Sequence, residues 1–387
     1  MSAWVDRSEA LARLGVRPQT LYAYVSRGRI GSRPDPDDPR RSLYSAEDID
    51  ALARRRSRGR RLTAVAASAM AWGEPSISTS ISTVIDGRLI YRGEDAAGLA
   101  ESWTLERTAA LLWGAEDEVR LTSALPPGEG VGGRRAAAFS TLAGLAAAGR
   151  PTLGRPVGIL RVDAAEAVAA LARALGAAEG EAPVHVRLAR GWRVDDRAAD
   201  AMRRALVLAA DHELNASSFA ARVAASTGAS IAACLLAGLA ALSGPRHGGA
   251  AEAVAALVED AARLGSEAAA ERWLNRDLPL PGFGHPLYPH GDPRAEALLA
   301  TVELDETLAS LRDAGGAATG ARPNVDFALL ALARLHGLPA DAPFSLFALG
   351  RSVGWAAHAL EQAGTGQLIR PRARYEGVRP GSAERTR

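Results

Sequence analysis

The sequence contains no lysine: all 46 of its cationic side chains are arginine. That absence excludes a Schiff-base lysine, and with it the usual pyridoxal chemistry. It also excludes a P-loop, whose phosphate end requires Lys. Cysteine is almost as scarce. The single one, Cys234, cannot build an internal disulfide, a thiolate zinc site or an iron–sulfur cluster. Aromatic residues make up 5% of the chain. No apolar run of about 18 residues escapes charges and helix breakers in the way a membrane span requires. The opening MSAWVDRSEA does not read as a signal peptide, so a cytoplasmic setting is expected.

What is present is a chain of 387 residues, 48% hydrophobic, with a formal net charge of +2. That is enough for two or three domains and a sizeable core. The charge is unevenly spread. Residues 1–61 carry 14 Arg against 8 Asp plus Glu, and the remainder carries 32 against 36. A small basic module therefore precedes a mildly acidic body, which hints at an acidic partner for the module.

The module reads as helix, turn, helix and wing. Ser8 is placed to cap a helix through Leu14, and Gly15 to stop it. Pro18 suits the first turn of a second helix, Gln19 to Arg27. The stretch GSRPDPDDPRRSLY holds too much Pro and Asp for a helix and predicts a hairpin or wing. Ser45, with Asp48 three residues on, starts a third helix that ends in Arg54, Arg55 and Arg56. The stretches EALARLGVRPQTLYAYVSRGRI and LYSAEDIDAL resemble the MerR and excisionase type of winged helix-turn-helix domain. The resemblance implies that residues 1–57 bind DNA. Gln19, Thr20, Tyr22 and Arg27 would face the major groove, and Arg33, Arg40 and Arg41 would meet phosphate. A protein-interaction appendage with a solvated basic face is the alternative. Residues 58–63 form a linker.

From residue 64 the pattern is helical, so a mainly α fold is expected. The exception is SISTVIDGRLIYRG, whose alternation about a DG pair predicts a hairpin. The body holds seven histidines, and a lone His on an apolar face is usually a packed core residue. Three stand in unusual surroundings. His212 lies in DHELNASSF, just before an Asn that could orient it. His247 lies in SGPRHGGA at the start of a helix, where the dipole favours a neutral imidazole. His285 lies in PGFGHPLYPHGDPRAEAL, with Arg294 nine residues on. Asp326 opens an apolar helix, either as its cap or as a carboxylate whose raised pKa suits a general base. Arg351 sits inside an apolar helical pattern and needs an anionic partner. Arg370 and Arg372 lie in LIRPRARYEG, which by itself reads as a solvated basic tail.

Taken in order, the blocks DHELNAS, GPxHGGA, GFGHxxY…DPRA, PNVDF, FxxGRxxGWxAHxxEQ and IRPRxxYxG resemble the citrate synthase family over residues 77–377. The resemblance implies a large domain (64–246 and 326–377) and a small one (247–325), with the active site in the cleft between; the polar tail over 378–387 is expected to be disordered. It implies condensation of acetyl-CoA with oxaloacetate, followed by thioester hydrolysis, with no metal or redox cofactor. Asp326 would remove the methyl proton, His247 would stabilise the enol, and His285 would polarise the ketone. His212, Arg294 and Arg351 would hold the substrate carboxylates. Arg370 would reach the neighbouring site of a homodimer. Where many members place basic residues to meet CoA phosphate, this chain has Pro286 and Pro289, and Arg322 or Arg372 would substitute. Propionyl-CoA in place of acetyl-CoA, and a DNA-binding regulator whose body senses a tricarboxylate or acyl-CoA, are the alternatives.

Overall fold

The computed structural model describes residues 4–14, 21, 24–25, 30–35, 38, 41–50, 77–123, 132–276 and 279–371. Gln19, Thr20, Tyr22, Arg27, Arg40 and Arg372, the linker over 58–63 and the tail over 378–387 lie outside them.

Near the N-terminus, β1 (Trp4–Val5), α1 (Arg7–Leu14), β2 (Ser32–Pro34) and β3 (Ser42–Ser45) are formed. β3 is central and antiparallel to both neighbours, with Val5 opposite Tyr44 and Arg33 opposite Leu43. The hairpin expected over residues 31–44 is therefore present. Arg33 and Arg41 are exposed on it, and the Arg33 guanidinium lies 4.4 Å from the centre of the Trp4 ring. The cap of α1 differs from expectation. Asp6, not Ser8, accepts the Glu9 N–H (2.8 Å), because the helix starts at Arg7, two residues earlier than a Ser8 cap would give, and Ser8 falls inside its first turn. Ser45 does accept the Asp48 N–H (3.3 Å), while the Asp48 carboxylate accepts from Gly31 (2.9 Å). Val5, Ala10, Leu14, Leu21, Ile30, Tyr44 and Ile49 form a small core between these elements.

Contacts divide the chain into two compact units. One comprises Met1–Ile77, Val254–Gly291 and Asp305–Pro323; the other comprises Ser78–Ala253, Asp292–Leu304 and Asn324–Arg387. The second unit opens with β4 (Ser82–Ile85), β5 (Arg88–Tyr91) and β6 (Glu94–Asp95). Asp86 and Gly87 both take positive φ (51° and 75°), as a two-residue DG hairpin demands. A second such turn at Arg92 and Gly93 adds β6, a strand that alternation alone did not predict.

The rest is helical: α2 (Ala96–Leu99), α3 (Leu105–Trp113), α4 (Gly133–Ala148), α5 (Val157–Ala174), α6 (Val184–Trp192), α7 (Asp196–Ala209), α8 (Ala216–Ser226) and α9 (Ile231–Leu242). Then come α10 (Ala250–Leu264), α11 (Ser266–Leu274), α12 (Pro293–Leu299), α13 (Glu306–Thr319), α14 (Val325–Leu335) and α15 (Ala342–Thr365). Among the described residues, no helix is long and apolar enough to cross a membrane.

α15 is the helix around which the second unit packs. Its sequence has no polar stripe, and every residue from Ala342 to Leu360 is buried. Such a helix belongs in the middle of a core. Gly350 and Gly354, one turn apart, let the end of α7 lie directly on it. A Cβ at Gly354 would stand 2.3 Å from the Ala210 carbonyl oxygen, and one at Gly350 2.7 Å from that of Leu206.

Gly354→Ala is therefore expected to destabilise the chain by about 1–3 kcal/mol, the usual cost of overpacking. Thermal melting against the parent checks this; an unchanged melting temperature would contradict the close approach.

Candidate active site

The loop between α7 and α8 carries His212 and is held from several sides. The Tyr91 hydroxyl oxygen lies 3.0–3.2 Å from the carbonyls of Val207, Leu208 and Asp211 and accepts the Asp211 N–H (3.1 Å). Ser82 donates to the Asp211 carboxylate and accepts the Glu213 N–H (2.8 Å). His212 is buried. Asn215 caps α8, its Oδ1 accepting the amides of Ser217 (3.1 Å) and Ser218 (3.2 Å), while its Nδ2 donates to the His212 carbonyl (3.1 Å).

That cap also meets His247. His247 Nε2 lies 3.2 Å from Asn215 Oδ1 and 2.9 Å from Ser217 Oγ. Trp355 of α15 donates its indole N–H to the same Ser217 oxygen (3.0 Å). An indole N–H only donates, so Ser217 has one proton left to give, with Asn215 Oδ1 (2.7 Å) and His247 Nε2 both in reach. If it gives it to His247 Nε2, the neutral ring carries its own proton on Nδ1. The backbone around His247 is a tight turn: its N–H reaches the Gly244 carbonyl (3.0 Å), and its carbonyl accepts from Ala250 (2.9 Å), where α10 begins. The imidazole meets the Phe347 ring edge-on at 6.0 Å.

Asp326 stands in the first turn of α14 but is not its cap. Asn324 is, accepting the amides of Asp326 (3.0 Å) and Phe327 (3.4 Å). Removal from bulk water pushes the Asp326 carboxyl up to about 6. Arg294 and Arg351 pull it down, and Asp292 adds to the rise. Arg294 is buried and paired with Asp292, Nε to Oδ1 at 2.9 Å and Nη2 to Oδ2 at 2.8 Å. Arg351 is buried inside α15, donates from Nε to the Ala209 carbonyl (2.9 Å) and lies 4.8 Å above the Phe347 ring. Phe347 thus touches both Arg351 and His247.

His212, His247, Arg294, Asp326, Arg351 and Arg370 all belong to the second unit, while His285 and Arg322 belong to the first. His285 Nδ1 accepts the Leu287 N–H (3.2 Å), so its neutral ring carries the proton on Nε2. Its ring lies 5.0 Å from that of Tyr288. Arg322 is brought beside it by the backbone: Gly284 donates to the Arg322 carbonyl (2.8 Å), and Phe283 pairs with Pro323. Arg370 is exposed beyond α15.

Sequence reasoning missed Ser217, Trp355, Phe347 and Asp292. Only Asp292 left a signal. An Asp-Pro-Arg helix start places an acid two residues before a cation that the interior must neutralise. Ser217 and Trp355 meet only in three dimensions, 138 positions apart.

A family profile described as "Citrate synthase, C-terminal domain" matches residues 137–372. The chain belongs to the citrate synthase family. Citrate synthase 2 of Bacillus subtilis is 38% identical over 195 residues, 46% of this chain and 51% of that protein. The 2-methylcitrate synthase 2 of Corynebacterium glutamicum is 36% identical over 188 residues, 45% and 48% of the two chains. The chain spans about half the length of the curated relatives it matches. Among solved structures, the citrate synthase of Thermoplasma acidophilum, in a ternary complex with carboxymethyl coenzyme A and oxaloacetate, superposes with a TM-score of 0.64. It is 26% identical, over 79% of this chain and 95% of that one. The citrate synthase of Thermotoga maritima gives a TM-score of 0.62 at 27% identity, over 81% and 98%. Among the described residues, no group of three or more His, Cys, Asp or Glu is placed to hold a metal ion.

A carboxyl raised from 3.8 to about 6 by folding costs stability in its charged form. The unfolded carboxyl ionises near pH 4 while the folded one stays protonated. The cost therefore grows between pH 4 and 6 and is complete above 6. Asp326→Asn is expected to stabilise the fold at pH 8 by up to about 3 kcal/mol, at about 1.4 kcal/mol per pH unit. The gain should vanish towards pH 4. Melting curves across this range check it, and a gain independent of pH would contradict the assignment.

Proposed function

We propose that the chain is a citrate synthase-type acyltransferase, condensing acetyl-CoA with oxaloacetate to give citrate and CoA. The observation that carries this is Asp326, a carboxyl pushed up to about 6, in the field of Arg294 and Arg351 and in the same unit as His247. A thioester methyl is a weak carbon acid. It needs a base of moderate strength and a donor for the oxygen that becomes enolic.

Asp326 takes the methyl proton, and His247, oriented by Ser217 and Asn215, donates to the thioester oxygen. The methyl carbon then attacks the oxaloacetate ketone, forming the carbon–carbon bond. His285 polarises the ketone through its Nε2–H, and the alkoxide that forms takes up a proton equivalent to the one Asp326 removed. Water cleaves the resulting thioester and releases CoA as the thiol. Arg294, Arg351 and His212 hold the carboxylates, and guanidinium forks suit that task because they are permanently charged and bidentate. Arg322 and Arg372 meet CoA phosphate, and Arg370 completes the neighbouring site of a homodimer. No further cofactor takes part. Division of the body into 64–246 with 326–377 and 247–325, and a cytoplasmic setting, belong to the same proposal. The relative named a 2-methylcitrate synthase makes propionyl-CoA the second substrate to test. One methylene separates the two, and an apolar pocket distinguishes them by only about 1–3 kcal/mol.

A second reading concerns residues 1–57 and adds to the first. Their charge excess and the exposed Arg33 and Arg41 on the β2–β3 hairpin suit a winged helix-turn-helix domain that binds DNA. A dimer would present two such modules to a palindromic site.

Thiol release from acetyl-CoA plus oxaloacetate is expected from the intact protein. Asp326→Ala should lower it by about 10²–10⁴, the worth of a general base. No release from folded protein, with propionyl-CoA tried as well, would remove the enzyme reading and leave the body as a sensor. For the module, duplex DNA should bind the full chain with log affinity falling linearly in log salt. Arg33→Gln with Arg41→Gln should flatten that slope. No salt-sensitive binding would remove the DNA reading.

A further inference from the structure

Four donors converge on one buried carboxylate beside the proposed base. Asp292 Oδ1 accepts the Arg294 N–H (3.1 Å) and Arg294 Nε–H (2.9 Å). Its Oδ2 accepts Arg294 Nη2–H (2.8 Å) and the Val325 N–H (3.1 Å). The two side chains are 3% and 1% exposed. Val325 immediately precedes Asp326, and Arg294 is the cation that acts most strongly on that residue. We infer that Asp292 is a positioning residue that locks Arg294 and the Asp326-bearing turn of α14 into one fixed geometry. The inference rests on the citrate synthase reading, in which those two side chains hold substrate and take its proton.

The chemistry explains why an acid is needed there. A buried guanidinium keeps its charge, and its planar fork meets a carboxylate at two points. Without Asp292, Arg294 would be free to turn towards Asp326, whose charged form it already favours. An ion pair between base and clamp would disable both. With Asp292 in place, the Arg294 charge is already matched and its fork is fixed in plane. The groups acting on Asp326 are then Arg294 and Arg351, which favour its charged form, and Asp292, which opposes them. Asp292 thus keeps the base from becoming too weak. A carboxylate that merely tied the start of α12 to α14 would contribute to stability alone. The two roles separate in experiment.

The test uses the full chain, Asp292→Asn and Asp292→Ser. Both substitutions keep a capping side chain for α12 and remove the charge. With acetyl-CoA and oxaloacetate, the acid limb of kcat should move about one pH unit lower, the scale on which a neighbouring charge moves a carboxyl. KM for oxaloacetate should rise about ten-fold, the worth of a charged hydrogen bond. KM for acetyl-CoA should stay within about two-fold, because neither Asp292 nor Arg294 meets CoA in the citrate synthase reading. Without substrates, the ¹³C carboxyl titration of Asp326, assigned by its loss in Asp326→Asn, should fall in the same variants.

A folded variant with an unmoved acid limb and an unmoved titration, showing only a lower melting temperature, would overturn the inference. If the parent protein turned nothing over yet the titration moved, the coupling would stand and the synthase reading would fall. One measurement needs no variant. In the parent protein at pH 7, the Arg294 Nε–H should give a sharp, exchange-protected nitrogen–proton signal; a signal broadened by fast exchange with water would overturn the inference even if neither variant folds.

Discussion

A guanidinium cannot be stranded in an apolar interior, and α15 places Arg351 where no solvent face exists. The penalty for burying an ion is several kcal/mol even after the protein relaxes. The surrounding structure is arranged to offset it. Gly350 and Gly354 bring the end of α7 close enough for the Ala209 carbonyl to accept Nε, and the Phe347 ring underlies the guanidinium plane. Both aspartates whose ionisation Arg351 influences, Asp211 and Asp326, are packed near it in the same unit. Arg351 therefore links the packing of the core to the charge state of the site.

Those two aspartates show how environment assigns roles. Burial alone would raise both carboxyls. At Asp211 it is outweighed by His358 beside it (Nε2 to Oδ2, 3.3 Å), by Arg351 and by the Ser82 hydroxyl, so the group is held below the usual carboxylate range. At Asp326 burial prevails, because the cations act at a distance and Asp292 opposes them. One carboxylate stays charged and anchors the loop that carries His212. The other is poised to exchange a proton near neutrality. His358 belongs to a wider buried network: Arg222 approaches its Nδ1 (3.4 Å) and pairs with Glu361 (2.7 Å), which accepts the Ser80 N–H (2.8 Å). The chain just ahead of β4 is thereby tied to α15.

Much of this was legible in the sequence, and the reasons differ by residue. The DG hairpin was readable because a two-residue turn with positive φ admits few residue types. α15 was readable because an apolar pattern with no polar stripe has only one place to go. His212, His247, Arg294, Asp326 and Arg351 stood out as titratable or charged residues inside Gly-, Pro- or Ala-rich surroundings. The role of Asp326 was open between helix cap and base, and the cap of α14 is Asn324. What stayed hidden was pairing across the chain. Ser217 looks like any helix-start serine until Trp355 and His247 arrive on it. The strand β6 depended on a non-glycine positive φ at Arg92, which has no sequence signature. At the N-terminus, Asp6 caps α1 because the strand β1 delivers it there, which residue preference at Ser8 could not foresee.

The central claim is that this site makes a carbon–carbon bond rather than only cleaving a thioester. The most direct measurement is to supply acetyl-CoA labelled with ¹³C in its methyl group, together with oxaloacetate, and track the label by NMR. The account predicts that the label appears in the methylene of a six-carbon tricarboxylate, matched one to one by free thiol. Label recovered as acetate, or remaining in acetyl-CoA while the protein is folded, would contradict it.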